Sequence, residues 1–129
     1  MINRMIDLEV KDNVSKLKEK IYIYKNDYNV CFMIKPIIKY AMTAVTPVAD
    51  FTGGVAEVIF LKPDGSDSIV KIMEMDSIYV HVLIDQDMSN DLNELGLWKV
   101  QIRLRNAENT SRLTLPPFDF EILPLIADV

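Results

Sequence analysis

"GLWKVQIRLR", residues 96–105, alternates from end to end: Trp98, Val100, Ile102 and Leu104 fall on one side, Lys99, Gln101, Arg103 and Arg105 on the other. Successive side chains of an extended strand project to opposite faces, so a period of two marks a strand with one face buried and one wet. The apolar set holds the single tryptophan of the chain, which places Trp98 in a core. A half-buried strand needs neighbours, and the flanking sequence supplies them in both directions.

Downstream, "SRLTLPPFDFEI" (111–122) alternates, breaks at Pro116-Pro117 and resumes. Proline has no N–H for a ladder, so two together exclude the interior of a paired strand. The stretch is expected to be one strand along a sheet edge, bent or bulged at the prolines. Upstream, "SIYVHVLI" (77–84) is rich in β-branched residues. "VAEVIFLK" (55–62), apolar on both faces except for Glu57, runs into Pro63-Asp64-Gly65 and then "SIVKIM", which predicts a hairpin. Earlier still, "KEKIYIYK" leads through the turn "NDYN" to "VCFMIK" as its return strand, and Ile6, Leu8 and Val10 alternate with Asp7, Glu9 and Lys11. Between 10 and 21, Val10, Val14, Leu17 and Ile21 also fit a helical period; an irregular connection is the expectation there. About 7–9 short strands without a long helix imply an all-β fold, an antiparallel β-sandwich, in a single domain spanning 1–129.

With 129 residues, half of them hydrophobic, the chain is long enough to bury a core. Its formal charge of -5 argues against a nucleic-acid partner, which needs clustered positive surface. Lys16, Lys18 and Lys20 are interrupted by Leu17 and Glu19 and make a poor phosphate track. Cys31 is the only cysteine and lies in the apolar run "VCFMI". It excludes an intrachain disulfide and a thiolate cage, and it reads as an inert buried side chain. No N-terminal apolar region of signal-peptide type occurs, and no segment approaches the ~20 apolar residues of a membrane helix. A protein made in the cytoplasm, without Sec-type export and without a membrane partner, is expected.

Few residues suggest chemistry. In "DQDMSNDLNEL" (85–95), Asp85, Asp87, Ser89 and Asp91 have the alternate spacing of a calcium loop, but Asn90 stands where glycine is needed and Gly96 where the bidentate glutamate belongs. The expectation is a loop or single helical turn whose Asp side chains cap backbone N–H groups, with no metal and no cofactor. His81, the only histidine, lies mid-strand on the face of Tyr79 and Leu83. Gly53-Gly54 lacks the Lys-Ser/Thr of a phosphate loop, and none of the 19 acidic residues forms a pair that stands out. No enzyme and no catalytic residues are expected.

The stretch "IIKYAMTAVTPVADF" (37–51) is apolar where a polar loop would be normal. It reads either as a strand plus a buried connection or as an exposed partner-binding patch of Ile38, Tyr40, Met42, Val45 and Phe51.

Four segments in order, "IYIYKND", "VAEVIFLKPDGS", "LGLWKVQIRL" and "SRLTLPPFDFEI", resemble the N-terminal domain of BppU-type upper baseplate proteins from tails of phages and prophages of Gram-positive bacteria. They span about residues 21–122. The resemblance implies an immunoglobulin-like β-sandwich and a structural role: an adaptor or scaffold in the virion tail that links receptor-binding modules to the tail core. Its partners would be other baseplate proteins and copies of itself, and the family brings no catalytic residues. Family members usually continue into a coiled coil or further domains, whereas this sequence stops at "PLIADV", as a fragment or a stand-alone adaptor would. The alternative is a carbohydrate-binding β-sandwich for host attachment, with Tyr22, Tyr24 and Tyr28 as its aromatic platform. A small hydrolase working through His81 or a carboxylate pair is the third reading.

Overall fold

The computed structural model describes residues 1–40, 42–76 and 78–126; Ala41, Ser77 and the last three residues of "PLIADV" lie outside the described residues. The strands are β1 (Ile2–Lys11), β2 (Val14–Leu17), β3 (Tyr22–Tyr24), β4 (Val30–Lys39), β5 (Ala44–Val45), β6 (Val55–Leu61), β7 (Ser68–Met75), β8 (Val80–Ile84), β9 (Gly96–Arg105), β10 (Arg112–Thr114) and β11 (Phe118–Leu123). A 3-10 turn, Pro47–Phe51, precedes β6, and one short helix, α1 (Gln86–Asp91), precedes β9.

The fold is all-β, as the alternation implies. The hydrogen-bonded path runs β2-β1-β4-β8-β7-β6-β9-β11-β3, with β5 added to β4 and β10 to β9. This one sheet curls so that its two halves face each other. Phe120 of β11 meets Phe32 of β4 edge-to-face with ring centroids 5.6 Å apart, and Phe60 of β6 at 6.1 Å. β4 and β11 are far apart along the path, so the Phe32–Phe120 contact crosses the core. Near the two ends of the path, the Ser15 hydroxyl donates to the Pro116 carbonyl at 2.6 Å.

Three details depart from the expected sandwich of 7–9 antiparallel strands. Among the described residues there are 11 strands, because β2, β5 and β10 are too short for a period of two to register. Two pairs, β1 with β4 and β3 with β11, are parallel, so "VCFMIK" does not return along β3; alternation fixes which side chains are buried but not the identity or direction of the partner. Residues 10–17 are not the expected irregular connection, which is confined to 18–21. Asp12 and Asn13 take φ of 53° and 62° and make a two-residue turn that returns β2 along β1, with Lys11 opposite Val14. Left-handed backbone at both central positions is what a tight hairpin requires, and Asp and Asn tolerate it.

Each proline of the strands sits where one ladder is interrupted, and Pro36, although opposite Leu8 of β1, meets such a gap on its other side. Pro36 lies in β4 between Ile34, the last residue paired with β8, and Ile38, the first paired with β5. Across Pro116-Pro117, Thr114 opposes Arg103 and Phe118 opposes Val100, so three residues, 115–117, face two, 101–102. That extra residue is a β-bulge. It moves the inward set from Leu113 and Leu115 to Phe118, Phe120 and Ile122, and keeps both segments on β9. The expected bulged strand is what forms, though β3 covers the outer side of its second half.

Candidate partner-binding surfaces

The stretch 37–51 divides between the two readings. Ile38 opposite Val45 and Lys39 opposite Ala44 make a small hairpin, closed by the Tyr40 N–H donating to the Thr43 carbonyl at 2.8 Å. Its tip projects: Tyr40 is 61% exposed, Met42 94% and Val45 42%. Ile38 instead packs against the core, and Phe51, only 7% exposed, belongs to it. Pro47 at the start of the 3-10 turn and the Thr52 hydroxyl, bonded to the Ala49 carbonyl at its end, shape the segment that turns Val48 and Phe51 inward. Of the five residues suggested by sequence, Tyr40, Met42 and Val45 therefore share a surface, and Ile38 and Phe51 support it from beneath.

Charges brace the base of this tip. Glu9 accepts from Lys18 at 2.7 Å and from Lys39 at 2.9 Å. Those two ammonium groups, Lys18 first, lower its carboxyl from 4.5 to about 2. A depression of about 520 Å³ between the Asp12-Asn13 turn and Tyr40 adjoins the pair.

The alternate acids of 85–95 do not converge. Asp85 caps α1 by accepting from the Met88 N–H at 2.8 Å, Ser89 is buried, and Asp91 pairs with Lys71 at 3.0 Å. Residues two apart on a helix lie on nearly opposite sides, so a spacing that would wrap an ion in a loop scatters its oxygens here. Among the described residues no cluster of three His, Cys, Asp or Glu side chains is suited to a metal. His81 is bonded through Nε2 to Asp76 at 2.8 Å. Asp76 also accepts from the Ile78 and Tyr79 N–H groups, and the Ile78 bond first, then His81, hold its carboxyl below the usual range. These contacts close the β7–β8 turn. Cys31 is buried, and desolvation pushes its thiol up, away from reactivity.

The tyrosines proposed as a sugar platform are exposed: Tyr22 40%, Tyr24 45% and Tyr28 50%. The rings of Tyr22 and Tyr24 meet edge-to-face at 6.2 Å on β3, the end strand of the path. Trp98 is fully buried, its indole N–H donating to the Glu94 carbonyl at 3.0 Å. Sequence reading missed a groove of about 610 Å³ beside β7, lined in part by Cys31, Met33, Leu83 and Met88. It arises from the divergence of two strands, which alternation alone does not show.

The molecule is thus an all-β domain with a curled sheet, a filled core and apolar side chains presented at a hairpin tip and along a groove. No family model and no curated relative matches the chain. Among solved structures it is similar to the N-terminal domain of phage TP901-1 ORF48, with a TM-score of 0.67 at 10% identity, covering 95% of this chain and 99% of that one. The two chains share a fold over nearly their whole lengths.

Proposed function

We propose that this domain is a structural component of a phage or prophage tail baseplate, an adaptor that links receptor-binding modules to the tail core through protein–protein contacts. The observation that carries this reading is the end-to-end match to a phage domain, that of the baseplate protein BppU. It joins the resemblance of the four segments, which lie on β3, β6, β9 and β10–β11. β6, β9, β11 and β3 are consecutive in the sheet, so the segments that carry the resemblance form one contiguous half of the molecule. Its partners are other baseplate proteins and copies of itself, met through contact rather than catalysis, with neither nucleic acid nor membrane involved. Assembly takes place in the cytoplasm of a bacterial host, and the mature location is the virion tail.

Antibody-gold labelling of phage or induced prophage particles from the source organism tests this. Label at the tail tip is expected; intact, unlabelled tails with the protein left in the lysate would overturn it. The exposed Tyr22–Tyr24 pair favours a second reading, a carbohydrate-binding module for host attachment. On a glycan array that reading requires binding that is lost in Tyr22→Ala with Tyr24→Ala.

A further inference from the structure

β7 is the strand at which the sheet folds over, and one of its edges is open. It pairs with β6 from Ser68 to Met73, whereas β8 joins its other side only at Glu74 and Met75. Hydrogen bonds at both ends of β7 fix which groups face that second side. The Lys62 N–H donates to the Asp67 carbonyl across the β6–β7 turn, and the Asp76 N–H donates to the Tyr79 carbonyl across the β7–β8 turn. In an antiparallel ladder alternate residues address alternate neighbours. Odd-numbered residues of β7 therefore bond to β6, and the N–H and C=O groups of Ser68, Val70 and Ile72 point the other way. Among the described residues no strand pairs with them there. Val70 and Ile72 are themselves 55% and 60% exposed.

This edge borders the groove of about 610 Å³. Residues 71–74 of β7 form one wall, the outward side chains of β4 and β8, Met33 and Leu83 among them, form the floor, and α1 closes one end. Glu74, Asp85 and Asp87 stand along it, all exposed. Lys71, the lysine of the lining, is already paired with Asp91. Among the described residues neither Glu74 nor Asp87 has a cationic partner.

We propose that this groove is a strand-acceptor site: the open edge of β7 at Val70 and Ile72 takes an extended segment of a partner protein, apolar at alternate positions and carrying lysine or arginine. Main-chain bonds to the edge supply the pairing, and alternate side chains supply the selectivity. The apolar set settles on Met33 and Leu83, and the basic set answers Glu74 and Asp87. The inference does not depend on the baseplate reading, since a domain absent from virions would present the same edge.

The test uses two synthetic nine-residue peptides that alternate valine with threonine, one carrying two lysines and the other two glutamates in their place. With the lysine peptide, hydrogen exchange at the Val70 and Ile72 amides is expected to slow at least tenfold, and the glutamate peptide to bind at least tenfold more weakly. Ile72→Pro removes an edge N–H while leaving the β6 ladder intact. Ile72→Lys places a charge like the peptide's own at an exposed position and guards against distortion by proline. Each is expected to weaken binding of the lysine peptide at least tenfold, with the melting temperature of Ile72→Lys unchanged. Three results would overturn the proposal: unprotected Val70 and Ile72 amides at millimolar lysine peptide, equal binding of both peptides, or protection that appears without peptide as protein concentration rises. The last would make a second copy the occupant.

Discussion

Glu9 shows what one surface residue contributes. Its carboxyl lies at about 2 in the folded chain against an ordinary 4.5, because Lys18 and Lys39 both bond to it. A group whose folded value is depressed stabilises the fold above its unfolded value and stops doing so as pH falls through the folded one. Its contribution is therefore complete above about 4.5 and disappears between there and about 2. In Glu9→Gln the acid limb of a stability–pH curve is expected to flatten in that window, with no change in shape near neutrality; urea melts across pH 2 to 7 check this. Neither lysine is near Glu9 in sequence, and only the pairing of β1 with β2 and β4 brings the three together. Trp98 is the opposite case: its place in the core was legible from its phase with Val100, Ile102 and Leu104 alone.

Among the elements, the bulged strand was the most legible, because its inward set shifts phase at the prolines and the sequence carries that shift openly. The β1–β2 hairpin was not, since Val14, Leu17 and Ile21 suit a helix as well as a strand, and the deciding signal is only Asp12-Asn13. The surface patch was half legible. Burial by a 3-10 turn follows no simple period, so Phe51 looked as available as Tyr40. β11 is where packing is concentrated, with Phe120 in edge-to-face contact with both Phe32 and Phe60. Phe120→Ala leaves a cavity between the two halves of the sheet and is expected to cost about 3–5 kcal/mol, measured by denaturant unfolding. A loss below about 1 kcal/mol would mean that the halves close over the gap.

For the whole molecule, the adaptor reading makes a demand that the fold can meet. Tyr40 and Met42 stand clear of the core, so Tyr40→Asp with Met42→Asp should leave the melting temperature within a few degrees while abolishing incorporation into tails. A folded double mutant that still enters virions would remove this tip from the docking surface. The parallel pairing of β3 with β11 also has a consequence in time. β3 is synthesised early in the domain, but Ile23 finds its partner Ile122 only once β11 has been made. The buried face of β9 likewise waits for Phe118 and Phe120. Pairings of such high contact order delay folding, since loop closure must come before any contact rewards it. A nascent chain that has reached only Leu115 is accordingly expected to remain protease-sensitive, and one that extends past Leu123 to become resistant, because the folding of the domain waits for β11.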